Sequence, residues 1–382
     1  MPTLLLPYFD HPAIEERFAA WQTRELLSAG GVPVRYYDPA DAAREVAGQV
    51  EDEVVIVVTD PLLLPSPHLV TRLVKLLETA GADAVVPILN EPVHPGQLHA
   101  PPSYVTLREL HLVAAELEAA APCIEHVVWD DSNPFLFACD TVLLDDIRLP
   151  MERALRGHKV AISHNDYVHR WASMRGQVRS DLLSRVPLDA KSILEFGCGE
   201  APLGAALKQR QPCRVVGIEL DQHAAAVARK RIDDVYCGDV REIVRIIKDS
   251  FDWIIGGDIV EHLDDPWSFL HDLRRITAKG GHLLLSLPNI ANAAVISDLL
   301  AGRFDYVYMG LTCVGHLRFF TRHSITEMLS IARWTTESIE PQETIPSIGG
   351  DPLVQALEAA GLPFSRDDLF APGYYVIARN DG

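Results

Sequence analysis

Ser192-Ile193-Leu194-Glu195-Phe196-Gly197-Cys198-Gly199-Glu200 is a short apolar run that ends in an acid and continues into two closely spaced glycines. A helix-prone segment, 203–208, follows it. This order is typical of a buried parallel strand that turns tightly and continues as a helix. Glycine suits the turn because a Cβ would block the close approach of a ligand to the backbone. The turn alone fits any α/β domain, so the neighbouring segments have to distinguish the possibilities.

Three later apolar segments in the same half of the chain also end at or near an acid. Segments 215–220, 234–240 and 251–258 place Glu219, Asp239 and Asp258 at these positions. An acid roughly 20 residues after a glycine turn, as Glu219 is, is placed to bind ribose hydroxyls. Because the carboxyl ends of neighbouring parallel strands meet at one crevice, we expect these acids and Glu195 to line one site. The pattern predicts an α/β, Rossmann-like domain.

The residues after the glycine turn discriminate between nucleotide ligands. A dinucleotide or a triphosphate is bound by glycine-rich amides, with Lys and Ser or Thr after the turn. Here Glu200-Ala201-Pro202 follows, and the expected lining is acidic. Such a site suits a nucleoside with ribose hydroxyls, an adenine amine and a positive charge but no phosphate. S-adenosylmethionine has these properties.

Over roughly residues 165–382 the chain resembles class I S-adenosylmethionine-dependent methyltransferases, and within them the group found beside or fused to glycosyltransferases in polysaccharide pathways. The resemblance implies a seven-stranded Rossmann-like domain over 191–382. The motifs that carry it are Arg179-x-Asp181-Leu182-Leu183 with Val186-Pro187, Leu194-Glu195-Phe196-Gly197-Cys198-Gly199, Gly217-Ile218-Glu219, Asp258-Ile259-Val260-Glu261-His262-Leu263 with Asp265-Pro266-Trp267, Ser286-Leu287-Pro288-Asn289, Gly302-Arg303-Phe304-Asp305-Tyr306, and His316-Leu317-Arg318-Phe319-Phe320-Thr321.

The resemblance also implies which residues bind the cofactor. In such a site the glycine turn faces the methionine part, an acid after the second strand binds the ribose, and an acid with the next amide binds the adenine edge. The end of the fourth strand lies under the methionine. The residues of this sequence at those places are, in that order, Gly197-Cys198-Gly199 with Glu195, Glu219 with Leu220, Asp239 with Val240, and Asp258 with Ile259.

The sequence departs from the family pattern at two places. Ala201 stands where a third glycine is usual, a change that alanine tolerates unless φ is positive. Thr312-Cys313-Val314-Gly315 replaces a more polar run, which leaves the acceptor open.

Residues 151–190 are interpreted as a linker followed by a helix that covers the cofactor. Asn165-Asp166-Tyr167 is expected to open this helix, which runs to Leu183 and stops at Val186-Pro187. Tyr167 and Arg179 are its candidate cofactor-binding residues, whereas His169 is expected to be an ordinary surface residue.

Two histidines are candidates for the catalytic base. Transfer of a methyl group to an oxygen needs a base for the hydroxyl proton, and histidine has a suitable pKa. His262 follows the fourth strand, where it could equally organise the start of a helix. His316 lies in the insertion after Pro288-Asn289, which contains the aromatic residues Phe304, Tyr306, Tyr308, Phe319 and Phe320. Arg318 either binds an anionic group of the acceptor or pairs with a neighbouring acid. We predict O-methylation of a sugar or glycan-linked acceptor, with N-methylation of an amino sugar or small amine as the alternative.

Residues 1–150 predict a separate, smaller α/β domain with a parallel sheet. Its strand-helix-strand pattern resembles the nucleotide-sugar domains of family 2 glycosyltransferases, but no Asp-x-Asp closes the strand that ends at Asp60. Asp60 is therefore interpreted as a turn residue rather than as a ligand-binding residue. Asp130-Asp131 is interpreted as a solvated turn rather than as a metal site. The alternatives are a degenerate or active glycosyltransferase domain and a non-catalytic module that recognises a glycan or a partner.

Composition excludes several classes of partner. The net charge of -19 over 382 residues argues against nucleic acid. No apolar run reaches the about 18 residues of a membrane span, and the N-terminus does not resemble a signal peptide. The six cysteines form no CxxC pair, so neither a metal site nor a disulfide framework is expected, and a cytoplasmic location is predicted. The expected partner is a small-molecule or glycan acceptor, and a homo-oligomer is left open.

Overall fold

The computed structural model describes residues 2–9, 13–90, 105–145, 147–171, 176–343 and 350–382. The chain divides into two compact units, one of Met1–Ala172 with Asp305–Met309 and one of Ser173–Phe304 with Gly310–Gly382. The predicted linker over 151–190 is therefore not one segment, because residues up to 172 belong to the first unit. Among the residues so described, no helix has the length and hydropathy needed to cross a bilayer.

The first unit is an α/β unit built on a mixed sheet. Its strands are β1 (Thr3–Pro7), β2 (Val34–Tyr37), β3 (Val54–Val58), β4 (Leu63–Pro65), β5 (Ala84–Leu89), β6 (Ile124–Val128), β7 (Leu136–Asp140) and β8 (Lys159–Arg170). Its helices are α1 (Ile14–Leu27), α2 (Ala43–Ala47), α3 (Leu69–Ala80), α4 (Leu107–Ala119) and α5 (Thr141–Asp145). The spatial strand order is β2-β1-β3-β7-β5-β8-β4, with β6 paired to β8.

The prediction of a parallel sheet in this unit is confirmed only in part: β1 pairs in parallel with β2 and β3, and β5 with β8, but the other pairs are antiparallel. Strands β3 and β5 are separated by β7, which runs antiparallel to both. Both are buried runs of apolar residues, and such a run fits a parallel or an antiparallel neighbour equally well. The sequence could therefore indicate the strands of this unit but not their pairing.

The helix predicted over 165–183 is wrong at its start, because residues 165–170 form the second half of β8, and it is confirmed only at its end, where Ser180–Leu183 is a helix. Residues 172–175 of this prediction lie outside the described ranges. The strand pairs with β5 on one side and with β6 and β4 on the other. Asn165 and Asp166 are buried within it and satisfied there: Asn165 binds the end of α4, and Asp166 pairs with Arg72. Polar residues that suggest a helix start are here the buried anchors of a strand.

The second unit carries the Rossmann-like fold predicted for it. Its strands are β9 (Ser192–Phe196), β10 (Arg214–Glu219), β11 (Asp234–Cys237), β12 (Phe251–Gly257), β13 (Thr277–Pro288), β14 (Thr335–Pro341) and β15 (Gly373–Arg379). Its helices are α6 (Ser180–Leu183), α7 (Pro202–Arg210), α8 (Gln222–Ala228), α9 (Val240–Ile246), α10 (Pro266–Leu273), α11 (Ala293–Leu300), α12 (Arg322–Ile331), α13 (Gly350–Ala359) and α14 (Arg366–Phe370). The strand order is β11-β10-β9-β12-β13-β15-β14.

The directions of the strands in this sheet explain why the acids at the strand ends lie along one edge. Strands β9 to β13 run parallel to one another, whereas β15 runs antiparallel to β13 and β14. The sheet is therefore mixed, and the carboxyl ends of β9, β10, β11 and β12 lie along one edge.

Alternation along the central strands fixes the register of the sheet. Leu194 and Phe196 of β9 pack into the apolar layer on one face, and Ile193 packs into the layer on the other. A shift of one residue would exchange the two faces, so burial specifies the register strongly. Gly256 of β12 lies under the Phe196 ring, and a Cβ there would be 2.0 Å from Phe196 Cζ.

Gly256→Ala should lower the free energy of unfolding by about 1–3 kcal/mol or more, because the fully buried Phe196 ring has no free space to move into. Gly176→Ala is the matched control, since the nearest atom to a Cβ there is Glu200 Oε2 at 3.8 Å. Urea unfolding of both variants measures the difference, and equal midpoints would contradict this packing.

Candidate functional site

A turn with left-handed backbone follows β9 at the edge of the sheet. Gly197 has φ 70°, Gly199 φ 55° and Ala201 φ 57°. A Cβ at position 197 would lie 2.3 Å from Ile259 Cδ1, so close packing requires glycine there. Because the φ of Ala201 is positive, alanine in place of the usual glycine has a cost here: a left-handed alanine costs about 1–2 kcal/mol.

The turn is bonded to the end of β10. The Gly199 amide donates to Glu219 Oε2 at 2.8 Å, and the Asp221 amide donates to Glu219 Oε1 at 2.8 Å. Glu219, the predicted ribose ligand, is half-buried against the turn, and Leu220 beside it is 71% exposed. The Cys198 side chain is buried, and a Cβ on Gly217 would lie 2.6 Å from its Sγ. Cys198 thus packs into the sheet rather than presenting its thiol to a ligand.

Glu195, the penultimate residue of β9, is buried, and the pKa of its carboxyl group is shifted. Its Oε2 has no hydrogen-bond partner within the described part of the chain. Burial, with the charge of Glu219 adding to it and with the Gly204 amide and Arg179 acting against it, raises the pKa of Glu195 to about 8. A positive charge brought near this carboxyl would favour its ionised form.

Arg179 organises the end of β12. Its guanidinium donates to Asp258 Oδ2 at 2.5 Å, to Asp181 Oδ2 at 2.8 Å and to Ser286 Oγ at 3.2 Å. Ser286 Oγ donates to Asp258 Oδ1 at 2.9 Å, and Tyr375 donates to Asp181 Oδ2 at 2.8 Å. Asp258 itself has a left-handed φ of 54°. The network holds a strained acid at the strand end with both carboxylate oxygens engaged.

Asp239, the acid after β11, caps helix α9. Its side chain accepts from the Arg241 amide at 2.8 Å and pairs with the Arg241 guanidinium at 2.6 Å. The hydrogen bond from Arg241 lowers the pKa of Asp239. Asp239 and Val240 are both half-buried, at the edge where the adenine is predicted.

His262 and His316, the predicted catalytic residues, lie next to each other. Their ring centroids are 4.9 Å apart and nearly perpendicular. His262 Nδ1 is 3.1 Å from the Gly315 carbonyl oxygen, and His316 Nε2 is 3.9 Å from Glu261 Oε1. Burial lowers the pKa of His316 to about 4, with the His262 ring adding to the effect.

The pair of imidazoles adjoins the Arg179 network. The charge of Asp258 adds to the effect of burial in raising the pKa of Glu261, and it opposes the effect of burial on the pKa of His316. Glu261 is completely buried, and burial raises the pKa of its carboxyl well above the usual value. Its backbone oxygen accepts from the Leu317 and Arg318 amides at 2.8 and 3.0 Å, which ties the insertion to the end of β12.

Several predicted site residues lie elsewhere. Tyr167 is 2% exposed in the core of the first unit, so we withdraw it from the cofactor site. His169 is not a surface residue on a helix; burial lowers its pKa to about 4 on β8. The Arg318 guanidinium donates to the carbonyl oxygens of Leu317 and Asp264.

The aromatic residues of the insertion divide between the two units. Phe304 and Phe319 contact each other edge to face, and Phe320 is buried in the core of the second unit. Tyr308 belongs to the first unit, where its ring contacts Trp171 at 5.9 Å between centroids. The spacing of aromatic residues in the sequence did not reveal that the segment divides between units.

The predicted acids of the first unit have structural partners. Asp60 accepts from the Leu62 amide and from Arg170 Nε, both at 2.9 Å. Asp130 accepts from the Ser132 amide at 2.8 Å, and Asp131 lies 3.4 Å from Arg156 Nη1. These contacts support the interpretation of both places as turns.

Sequence reasoning missed three side chains of the second-unit site, namely Ser286, Tyr375 and Glu261. Ser286 and Glu261 lie inside motifs that carry the resemblance, but only the fold brings them to Asp258 and to His316. Tyr375 is on β15, far from Asp181 in the sequence, and no local pattern marks that contact.

Comparison with known proteins identifies similar chains. A family model described as a methyltransferase domain matches residues 170–338. The ubiquinone biosynthesis O-methyltransferase of Pseudomonas aeruginosa is 31% identical over 183 residues, which are 46% of this chain and 75% of that protein. A probable S-adenosylmethionine-dependent methyltransferase of Mycolicibacterium smegmatis is 28% identical over 149 residues, or 38% of this chain. The chain spans only 53% of that relative.

A solved structure is similar over the same half. The S-adenosylmethionine-dependent methyltransferase from Archaeoglobus fulgidus has 19% identity and a TM-score of 0.41. The match covers 54% of this chain and 95% of that chain.

Glu195→Gln should change how stability depends on pH. A carboxyl with a folded-state pKa of about 8 holds its proton more tightly than in the unfolded chain, so its stability contribution is full below about 4.5 and is lost as pH rises towards 8. The variant cannot titrate, so its unfolding free energy relative to the wild type should rise over this range, by at most about 1.4 kcal/mol per pH unit.

Chemical denaturation at a series of pH values measures this slope. Glu327→Gln, at a side chain that is 62% exposed, is the control and should leave the pH dependence unchanged. A Glu195→Gln effect that is the same at every pH would show that the carboxyl is not perturbed.

Proposed function

Because the chain belongs to the S-adenosylmethionine-dependent methyltransferases, we propose that it methylates a hydroxyl oxygen of a small acceptor, in the first instance a sugar or glycan-linked hydroxyl. The observation that carries the proposal is the pair of imidazoles, His262 and His316, beside the Asp258 end of β12. An oxygen acceptor has to lose a proton, and polar groups beside the methyl donor are needed to orient and activate it. A neutral amine needs less such help.

The residues at the strand ends fit the cofactor. Glu219 is the proposed acceptor of hydrogen bonds from two ribose hydroxyls, and Gly197 in the turn beside it is exposed. The Glu195 carboxyl, with an unpartnered Oε2 within the described ranges, suits a cationic neighbour. When bound, S-adenosylmethionine supplies a methyl carbon on a sulfonium. The new O–C bond forms as the C–S bond breaks, and its electron pair stays on sulfur.

Arg179 contributes by holding Asp258 in place. The salt bridge compensates the charge of Asp258, and Ser286 fixes the orientation of the carboxylate. Asp258 can then act as an oriented hydrogen-bond acceptor below the methionine end of the cofactor. Positioning of this kind supplies much of the rate in an in-line displacement.

Two lines of support concern the acceptor. The sequence motifs resemble the methyltransferases found beside glycosyltransferases, which favours a sugar hydroxyl. Relatives in Pseudomonas aeruginosa and Bos taurus are ubiquinone biosynthesis O-methyltransferases, which favours oxygen over nitrogen as the methylated atom. We propose that the first unit is a recognition module rather than a glycosyltransferase. The Asp60 carboxylate at its strand end pairs with Arg170 and so has a structural role instead of holding a metal ion.

Glu219→Ala should weaken binding of S-adenosylhomocysteine by about 10-fold or more, because the ribose hydroxyls lose a charged acceptor. Isothermal titration calorimetry measures the affinity, and a melting curve confirms that the variant is folded. Glu327→Gln keeps the wild-type affinity. An unchanged affinity in Glu219→Ala would remove Glu219 from the ribose site.

His316→Ala should lower turnover by about 10²-fold while the affinity for S-adenosylhomocysteine is kept, because the change lies on the acceptor side. The assay uses labelled S-adenosylmethionine with a panel of nucleotide-sugars, glycans, compounds with a hydroxylated aromatic ring, and amino sugars. Mass spectrometry then identifies the methylated atom. Products methylated only on nitrogen would contradict the proposal, as would full turnover in His316→Ala.

A further inference from the structure

We propose that Glu261, His262 and His316 form a binding site for a divalent transition-metal ion. Each residue offers one ligand atom, and the three atoms lie within 4.8 Å of one another. Two of the residues belong to the turn after β12, and the third comes from the insertion some 50 positions later. The cysteine pattern of the sequence had predicted no metal site, and this set contains no cysteine.

The Glu261 carboxylate is the first argument for the ion. The residue is 0% exposed, and neither carboxylate oxygen has a hydrogen-bond partner among the described residues. An ionised carboxylate that is buried without a partner costs several kcal/mol. A cation between this group and the imidazoles would remove that cost.

The orientation of His262 is the second argument. The Gly315 oxygen, 3.1 Å from Nδ1, can only accept a hydrogen bond, so Nδ1 is the donor and Nε2 is the nitrogen that can bind an ion. A backbone carbonyl that fixes the tautomer in this way is the usual outer contact of a metal-binding histidine. Gly315 is adjacent to His316, so one short segment orients one ligand and supplies another.

The backbone holds the two segments together before any ion binds. The amides of Leu317 and Arg318 both donate to the Glu261 carbonyl oxygen. This pairing fixes His316 relative to Glu261, with His316 Nε2 3.9 Å from Glu261 Oε1. Ligands about 2.1 Å from a shared ion are separated by roughly 3–4 Å, so small side-chain rotations would complete the site.

The ligand set indicates which ions fit. Two imidazoles and one carboxylate suit Zn²⁺, Co²⁺ or Mn²⁺, whereas Mg²⁺ prefers oxygen ligands and water. Three protein ligands leave at least one coordination position open.

This position gives the ion a role that rests on the proposed function. The acceptor hydroxyl would occupy the open position, where the cation lowers its pKa and its proton passes to water. His316 would then act as a ligand rather than as the base predicted from the sequence. An acceptor with a second, adjacent hydroxyl could bind the ion through both oxygens.

Equilibrium dialysis of the chelator-treated, full-length protein against ZnCl₂, with metal analysis, tests the site. We expect about one equivalent of Zn²⁺ in the wild type, and a loss of affinity by about 10–100-fold or more in Glu261→Gln and His316→Gln. His323→Gln, at an exposed histidine of the same unit, is the control and should bind as the wild type does. Failure of the wild type to bind, or equal binding by all variants, would overturn the proposal.

Two further measurements separate folding and function from binding. CoCl₂ should give a visible ligand-field band and a rise in the thermal midpoint in the wild type, and neither in Glu261→Gln. A folded Glu261→Gln protein without the band supports the site; a band equal to that of the wild type refutes it. Hydroxyl methylation that persists fully after chelation would refute the role of the ion while supporting the proposed function. Metal binding without methylation of any hydroxyl would instead contradict the proposed function alone.

Discussion

The left-handed turn after β9 is the constraint on which the rest of the site depends. Gly197 packs against Ile259, which follows β12, and the Gly199 amide is bonded to Glu219 at the end of β10. The turn therefore joins three strand ends. A side chain at position 197 would have to displace Ile259 and adopt a disfavoured φ. The same backbone that tightens the sheet edge leaves an uncovered surface on which a nucleoside can lie.

The acids along this edge differ in how their charge is compensated. Asp258 is paired with Arg179, Asp239 with Arg241, and Glu219 accepts two backbone amides. Glu195 and Glu261 are both buried, and Oε2 of Glu195 and both carboxylate oxygens of Glu261 have no hydrogen-bond partner in the described ranges. The edge thus combines oriented acids with two buried acids that favour cations. A sulfonium cofactor and a metal ion are the two cations that this account places there.

The Rossmann-like fold of the second unit could be predicted because its first four strands each end at or near an acid and the first of them leads into a glycine turn. The first unit had no such markers. Val54–Val58 and Ala84–Leu89 are equally apolar runs, so nothing in the sequence indicated that an antiparallel strand lies between them. Asn165 and Asp166 are typical of a helix start, and the sequence around them predicted one. Inside β8 both side chains are instead buried and hydrogen-bonded to residues far away in the sequence, which no local pattern indicates.

The same limit applies to the site. Local patterns located Glu219, Asp258 and both histidines, since each lies in a recognisable motif. The partners of Asp258 and of the histidines come from other elements, as with Ser286 on β13 and Glu261 opposite His316. Burial of Glu261 depends on the fold of the insertion over it. A carboxylate without a partner therefore becomes visible only when the fold is known.

A crystal structure of the full chain with S-adenosylhomocysteine would show whether the cofactor lies at this edge. We expect adenosine density along the edge formed by β9, β10 and β11, with both ribose hydroxyls within hydrogen-bond distance of Glu219. The methionine part should lie over the Gly197–Gly199 turn. Density for the nucleoside at any other place, or a ribose that does not contact Glu219, would contradict this expectation.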